Sequence, residues 1–181
     1  MGESDEIYVF TKDKNQKDIL NLQQRINTAN KKTKGEKKLL HIIEISDTDL
    51  GNQNFINNTI ETIVENIRAA NTTDKRNVCI IGDDITKFKS KFIQQSDFNR
   101  TFVGIIQGIT TSIGDQKIRI LSDGQSGIGY AAVMSAKHFN QDWAVINGGK
   151  CIYREKTFVF DDRPAKDRWS EDLPTGEYFS F

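Results

Sequence analysis

Apolar residues recur along this chain at two spacings that alternate, and the alternation predicts the class of fold. EIYVF (6–10) is a short continuous apolar run and reads as a strand. From Asn15 to Ala29, the residues Ile19, Leu20, Leu22 and Ile26 fall at spacings that share one helical face. A basic, glycine-interrupted loop, KKTKGEKK (31–38), leads into LLHIIEI (39–45), whose nearly continuous apolar character predicts a strand covered on both faces. SDTD then supplies turn and cap residues. Between Asn54 and Ala70, Phe55, Ile56, Ile60, Ile63, Val64 and Ile67 recur every three or four positions, as an amphipathic helix requires. Asn71 to Lys75 is a polar stop.

The second half follows the same rhythm. NVCIIGDD (77–84) is a strand running into Gly82, Asp83 and Asp84. Residues 85–98 are weakly patterned and read as helix. Residues 100–113 also read as helix, although Gly104, Gly108 and the Thr110-Thr111 pair weaken the pattern. KIRILSDG (117–124) is a strand entering a glycine-rich turn, GYAAVMSAKHF (129–139) a helix, and WAVI (143–146) a strand. Asn147, Gly148 and Gly149 turn the chain into CIYR and KTFVFD, a hairpin or pair of strands. Strands alternating with helices predict one Rossmann-like α/β domain over residues 1–160, with a mostly parallel sheet and helices on both faces. Its central strands are expected at 39–45, 78–81, 118–122 and 143–146, its glycine-loop half spans 77–160, and 161–181 form a polar, aromatic-tipped tail.

At 181 residues the chain has the size of one domain, and 36% apolar against 28% charged residues supports a folded core. Lys and Arg number 25, as do Asp and Glu, so no overall field of one sign draws the chain to nucleic acid or an anionic membrane. No apolar run approaches the length of a membrane span, and MGESDEIYVF lacks the basic and apolar regions of a signal peptide, so a cytoplasmic location is expected. Cys79 and Cys151 sit inside apolar runs without zinc or disulfide spacing, which predicts buried thiols. With two histidines, His41 and His138, neither a metal site nor a bound cofactor is expected. The abundance of Ile, Lys and Asn fits an AT-rich bacterial or phage genome.

In an open parallel sheet, ligands bind beyond the carboxyl ends of the strands. The loop after KIRILS is the richest in candidate chemistry, because Gly124, Gln125, Ser126, Gly127 and Gly129 lie between a strand and the first turn of a helix. Glycines let backbone amides approach an anion, and a helix start presents unpaired N–H groups with a favourable dipole. The same glycines equally serve a tight turn with close helix packing. The loop lacks the Gly-Lys-Ser/Thr of a Walker A motif, and Gly124-x-x-Gly127-x-Gly129 differs from the dinucleotide fingerprint. Asp83 or Asp84 suits a ribose hydroxyl, Asp84 suits a helix cap as well, and Asn147 suits a base edge or a ribose. Asp123 repels a phosphate unless a cation or sugar hydroxyl partners it, and it is also the acid best placed for chemistry on a glycosidic bond.

LSDGQSGIGYAAVMSAKHFNQDWAVINGGKCIY resembles the SLOG superfamily, which includes the Rossmann-like domain of DNA processing protein A, the YspA-like proteins and the LOG-type phosphoribohydrolases. NVCIIGDDITKF is similar to that family's first strand and glycine turn, so the likeness covers about 78–153. It implies a Rossmann-like fold and binding of a nucleotide-derived small molecule, for which the strand-end loops offer Gly82, Asp83, Asp84, Asp123, Gly124, Gln125, Ser126, Gly127, Gly129, Asn147 and Gly148 as candidate ligand-binding residues. Asp123 stands where the family usually has glycine, Gly129 where many members carry an acid, and the LOG-type Arg and Glu motif is not visible. Hydrolysis of an N-glycosidic or phosphoester bond is therefore left open.

A second class of function rests on charge. Residues 11–40 carry nine Lys or Arg (12, 14, 17, 25, 31, 32, 34, 37, 38) against three acids (13, 18, 36), a local net of +6. Such a patch engages phosphates, and the resemblance makes single-stranded DNA a suspect. No aromatic side chain interleaves it, so a solvated basic loop is the preferred reading over nucleic-acid binding. The tail, with Trp169, Tyr178, Phe179 and Phe181, suits docking on its own domain or on a second subunit, which leaves a homo-oligomer or a protein partner as the alternative.

Overall fold

The computed structural model describes residues 5–35, 37–70, 75–88, 92–114, 117–147, 150–153 and 156–159. Seven strands form one sheet: β1 (Glu6–Thr11), β2 (Leu39–Glu44), β3 (Arg76–Gly82), β4 (Ile118–Ser122), β5 (Asp142–Asn147), β6 (Lys150–Tyr153) and β7 (Lys156–Val159). Their spatial order is β2-β1-β3-β4-β5-β6-β7. The first five run parallel, and β6 and β7 extend the sheet as an antiparallel hairpin. Helices α1 (Lys17–Lys32), α2 (Gln53–Ala69), α3 (Gln95–Ile113) and α4 (Ile128–His138) make the crossovers, so the expected Rossmann-like α/β architecture is present.

Right-handed crossovers dictate which face each helix covers. The chain moves outward from β1 to β2, then returns past β1 to β3 and continues through β4 to β5. That single reversal puts α1 on one face and α2, α3 and α4 on the other. The strand side chains divide accordingly, with period two. Tyr8, Phe10, Val78, Ile80, Ile118, Ile120, Trp143 and Val145 join the larger core under α2–α4. Ile7, Val9, Cys79, Leu121 and Ala144 face α1, which contributes Ile19 and Ile26. Leu20, expected on that same face, lies half-exposed at 49%, because the buried stripe of α1 narrows to Ile19 and Ile26 with Leu22 beside them.

Two further expectations are corrected, and the helix expected over 100–113 is present as part of α3. The segment 39–45 is a strand but an edge one, exposed at both ends and half-buried between. Covering by α1 on one side and α2 on the other is enough to demand Leu40, Ile42 and Ile43, so an apolar run does not report a central position. Among the described residues of 85–98, a short 3-10 turn (Ile85–Lys87) precedes α3, which begins at Gln95. The glycines of α3 do not interrupt it. A Cβ on Gly104 would stand 3.3 Å from Ile56, and one on Gly108 would collide with Ile60, so both let α2 lie close against α3. Cys79 is a buried thiol. Residues 71–74, Gly148, Gly149 and the tail 161–181 lie outside the described residues, among which no helix is long and apolar enough to cross a membrane.

At the amino end of the sheet, a charged pair is fully enclosed. Glu6, with no exposed surface, accepts the Tyr8 hydroxyl at 2.6 Å and the Arg76 Nε at 3.2 Å. Asn66 of α2 donates to the Tyr8 oxygen at 3.3 Å, and burial beside Glu6 raises the Tyr8 pKa far above its ordinary value. Removing one member of a buried pair strands the other in low dielectric. Glu6→Gln is therefore expected to lower the unfolding free energy by about 3–5 kcal/mol in urea titration. A loss below about 1 kcal/mol would show that the pair is replaceable there.

Candidate functional site

The reversal at β1 opens a crevice between the carboxyl ends of β1 and β3, the place where an open parallel sheet of this strand order binds its ligands. A cleft of about 270 Å³ occupies it, on the α1 side. Val9, Ile19, Leu22 and Ile81 form an apolar floor, and Gln16, Asp18, Asp83, Asp84, Lys87, Asp123 and Gln125 supply the polar wall beside Gly82. Among the described residues, no group of three or more His, Cys, Asp or Glu is placed to hold a metal ion.

Each acidic residue is set by its local chain. Asp83 turns back to the end of β1, where it accepts the Lys12 N–H at 2.9 Å, the Thr11 hydroxyl at 3.2 Å and the Gln16 amide at 3.4 Å. It ties the loop after β3 to the loop that starts α1. Asp84 caps the 3-10 turn, accepting the Thr86 N–H at 2.8 Å and the Thr86 hydroxyl. The helix-cap alternative for Asp84 is thus realised. Asp123 folds over the glycine turn and accepts the Gln125 N–H at 3.1 Å. Burial lifts its pKa above the usual carboxylate range, against the lowering effect of its bonds to the Gln125 amide and the Ser122 hydroxyl. Asp18 lies exposed in the first turn of α1 and makes no side-chain hydrogen bond among the described residues.

The glycine turn is bonded largely to itself and to α3. Gly124 N–H donates to the Ser122 hydroxyl at 3.3 Å, and the Gly127 peptide is clamped by one side chain: Gln95 Oε1 accepts its N–H at 2.6 Å while Gln95 Nε2 donates to its carbonyl at 2.9 Å. Tyr130 and Ala131 direct their N–H groups to the carbonyls of Gln125 and Gly127. Of the amides from Gly124 to Gly129, those of Ser126, Ile128 and Gly129 make no hydrogen bond among the described residues, and of these three residues Ser126 is exposed while Ile128 and Gly129 are buried. Gly127, at φ +89° and ψ −118°, adopts a conformation that glycine alone tolerates, and a Cβ there would stand 3.1 Å from the Ile85 nitrogen. A Cβ on Gly129 would strike the Asp123 carboxylate, and one on Gly82 would stand 2.5 Å from both the Phe10 carbonyl and the Ile128 side chain. These three glycines therefore serve close packing, whatever the loop binds.

The structure gathers Gly82, Asp83, Asp84, Asp123 and Gln125 around one cleft, with Gly124, Ser126, Gly127 and Gly129 in the adjoining turn. Asn147 stands apart at the end of β5, its backbone paired with Lys150, and Gly148 lies outside the described residues. Gln16, Asp18 and Lys87 line the cleft, and Gln95 shapes its neighbouring turn, although sequence patterning pointed to none of them. The reversal of strand order would have drawn attention to the β1 end, but order is not a local property of sequence. Comparisons of the chain with protein-family models, with curated proteins and with solved structures returned no match.

Two substitutions test these assignments. Gly127→Ala is expected to lose about 1–3 kcal/mol of stability in urea titration, since the backbone must leave a glycine-only conformation; an unchanged midpoint would place the strain elsewhere. A raised Asp123 pKa means that the folded state holds this proton more tightly than the unfolded chain. Stability from the group is therefore lost as pH rises through its folded value. Asp123→Asn should melt above the parent at neutral pH, with the gap closing in acid, where Asp123 is itself uncharged. A constant gap across the pH range would contradict the burial account.

Proposed function

We propose that this chain binds a nucleotide-derived small molecule, engaged through its nucleoside part, in the cleft between the ends of β1 and β3. The observation that carries the reading is the wall and floor of that cleft. Carboxylates accept sugar hydroxyls well, and Asp18, Asp83, Asp84 and Asp123 all border it. The apolar floor of Val9, Leu22 and Ile81 suits the face of a base. At about 270 Å³, the space falls just below the usual range of roughly 300–1,000 Å³ for drug-sized ligands, which favours one nucleoside unit over a dinucleotide.

Charge refines the ligand further. Among the described residues of its wall, four carboxylates face one ammonium, that of Lys87, so a bare phosphate entering the cleft meets repulsion from these groups. A neutral nucleoside suits the wall, as does a nucleotide whose phosphate is masked by a divalent cation or points out toward the exposed Ser126. Hydrolysis of an N-glycosidic bond is the reaction that the site accommodates best, because burial raises the pKa of Asp123, and a carboxyl group with a raised pKa is better suited to donate a proton to a leaving group. The resemblance to the SLOG superfamily supports the same class of ligand.

Thermal melting with a panel of nucleosides, nucleotides with and without magnesium, ADP-ribose and inorganic phosphate tests the reading. A nucleoside-containing member present at about a hundred times its dissociation constant should stabilise the fold by roughly 2.7 kcal/mol, and phosphate alone should not. Asp18→Asn should weaken that binding about tenfold, the expected loss for a hydrogen bond to a charged group, with little change in the unliganded melting temperature. Stabilisation by phosphate alone, or a panel without effect, would overturn the proposal. Release of free base during incubation would assign the hydrolytic step.

A further inference from the structure

A parallel sheet is apolar on both faces and needs a layer over each. Over β4 and β5, α4 supplies one of them, and its Ala131, Ala132 and Ala136 share a core with Ile118, Ile120, Trp143 and Val145. On the opposite face the described residues offer one helix, α1, which leads from β1 to β2 and is thereby tied to the far end of the sheet. A helix is about 10 Å across, and neighbouring strands lie about 4.8 Å apart. Placed near β1, α1 covers β2 and β3, whereas β4 and β5 stand roughly 10 and 14 Å from β1 and beyond its flank. Leu121 of β4 and Ala144 of β5, paired in register on that face, are nevertheless each only 3% exposed. Apolar residues continue in register toward β7: Ile146, two positions beyond Ala144, stands opposite Cys151, and Cys151 opposite Phe158.

We propose that residues 161–181 of the same chain fold back over this face and cover β4 and β5 beside α1, with Trp169 seated against Leu121 and Ala144. Position favours this segment. β7 runs in the direction of β5 and ends at Val159, at the carboxyl end of the outermost strand, three strand spacings or about 14 Å from β4. Residues 161–181 reach that far even when helical, at about 1.5 Å per residue. No other stretch outside the described residues is longer than four residues, which is too short to cover two strands.

Composition favours it as well. Ala165, Trp169 and Leu173 recur at intervals of four, the spacing of one helical face, and Pro164 suits the first turn of a helix. Ala144 is small and leaves room over β5 for a ring as large as indole. The segment carries six acids (161, 162, 167, 171, 172, 177) against three bases (163, 166, 168), a local net of −3. Residues 11–40, which include α1, carry a net of +6, so the two neighbours on this face attract each other.

Two measurements on the full chain test the proposal. The chain has two tryptophans, so Trp143→Phe leaves Trp169 as the sole indole emitter. Its fluorescence is expected to lie to the blue of the urea-unfolded chain and to resist acrylamide quenching several-fold better, equally at low and high protein concentration. In urea titration, Trp169→Ala should lower the folding equilibrium constant about tenfold in the parent and less than about threefold in Leu121→Ala, because both substitutions remove one shared contact. Leu121→Val replaces Leu121→Ala in this cycle if the larger truncation does not fold. The tenfold effect should persist in Ile120→Val, on the opposite face of the same strand. An indole as open to acrylamide in the folded chain as in the unfolded one would overturn the proposal. So would shielding that disappears on dilution, which would make a second copy the source of the cover, or additive effects of the Trp169 and Leu121 substitutions, which would seat the ring elsewhere.

Discussion

A parallel strand pair closed by a crossover takes the right-handed sense, and in this chain the direction of travel across the sheet reverses once, at β1. Most of the molecule's layout depends on that constraint. It buries β1 along its full length between β2 and β3, assigns α1 to one face and the other three helices to the opposite one, and parts the loops after β1 and β3 so that a cleft forms between them. The side chains of β1 answer it in alternation: Ile7 and Val9 face α1, while Tyr8 and Phe10 face the larger core.

The two ends of the sheet handle charge in opposite ways. At the amino end, Glu6, Arg76, Tyr8 and Asn66 satisfy one another inside the protein, and nearby Asp142 takes Lys75 at 2.7 Å and Arg119 at 3.2 Å. At the carboxyl end, Asp18, Asp83, Asp84 and Asp123 gather around a cleft with Lys87 as the one cation among the described residues of its wall. Asp83 is anchored by N–H and hydroxyl donors from the loop after β1, Asp84 by those of Thr86 in its own loop, and Asp123 bears the desolvation of its place over Gly129. Enclosed pairs stabilise geometry, whereas carboxylates with spare acceptor capacity at a solvent-open crevice define what a ligand must offer.

The glycine turn shows how one composition serves two physical ends. Gly82, Gly127 and Gly129 are required where the strand end, the helix start and the Asp83–Ile85 backbone approach within van der Waals distance. Gln95 consumes the Gly127 amide that an anion cradle would have used. The region available to a ligand consequently shifts from the loop after β4 toward the loops after β1 and β3, where Gln16 and Asp18 join it.

Local sequence determined the elements themselves. Apolar periodicity located β1, α1, α2, α3, β3, β4, α4 and β5, and the hairpin of β6 and β7, because a buried face imposes its spacing on whichever residues fill it. It also named the residues that meet at the cleft from β3 and β4, since strand ends followed by Gly and Asp are visible one segment at a time. Only the tertiary structure decided that β2 lies at an edge, that Gly104 and Gly108 mark a helix contact, and that Gln16, Asp18, Lys87 and Gln95 belong with the site. Strand order is set by crossovers between segments far apart in the chain, and nothing in the residues of a single strand records which neighbours those crossovers will supply.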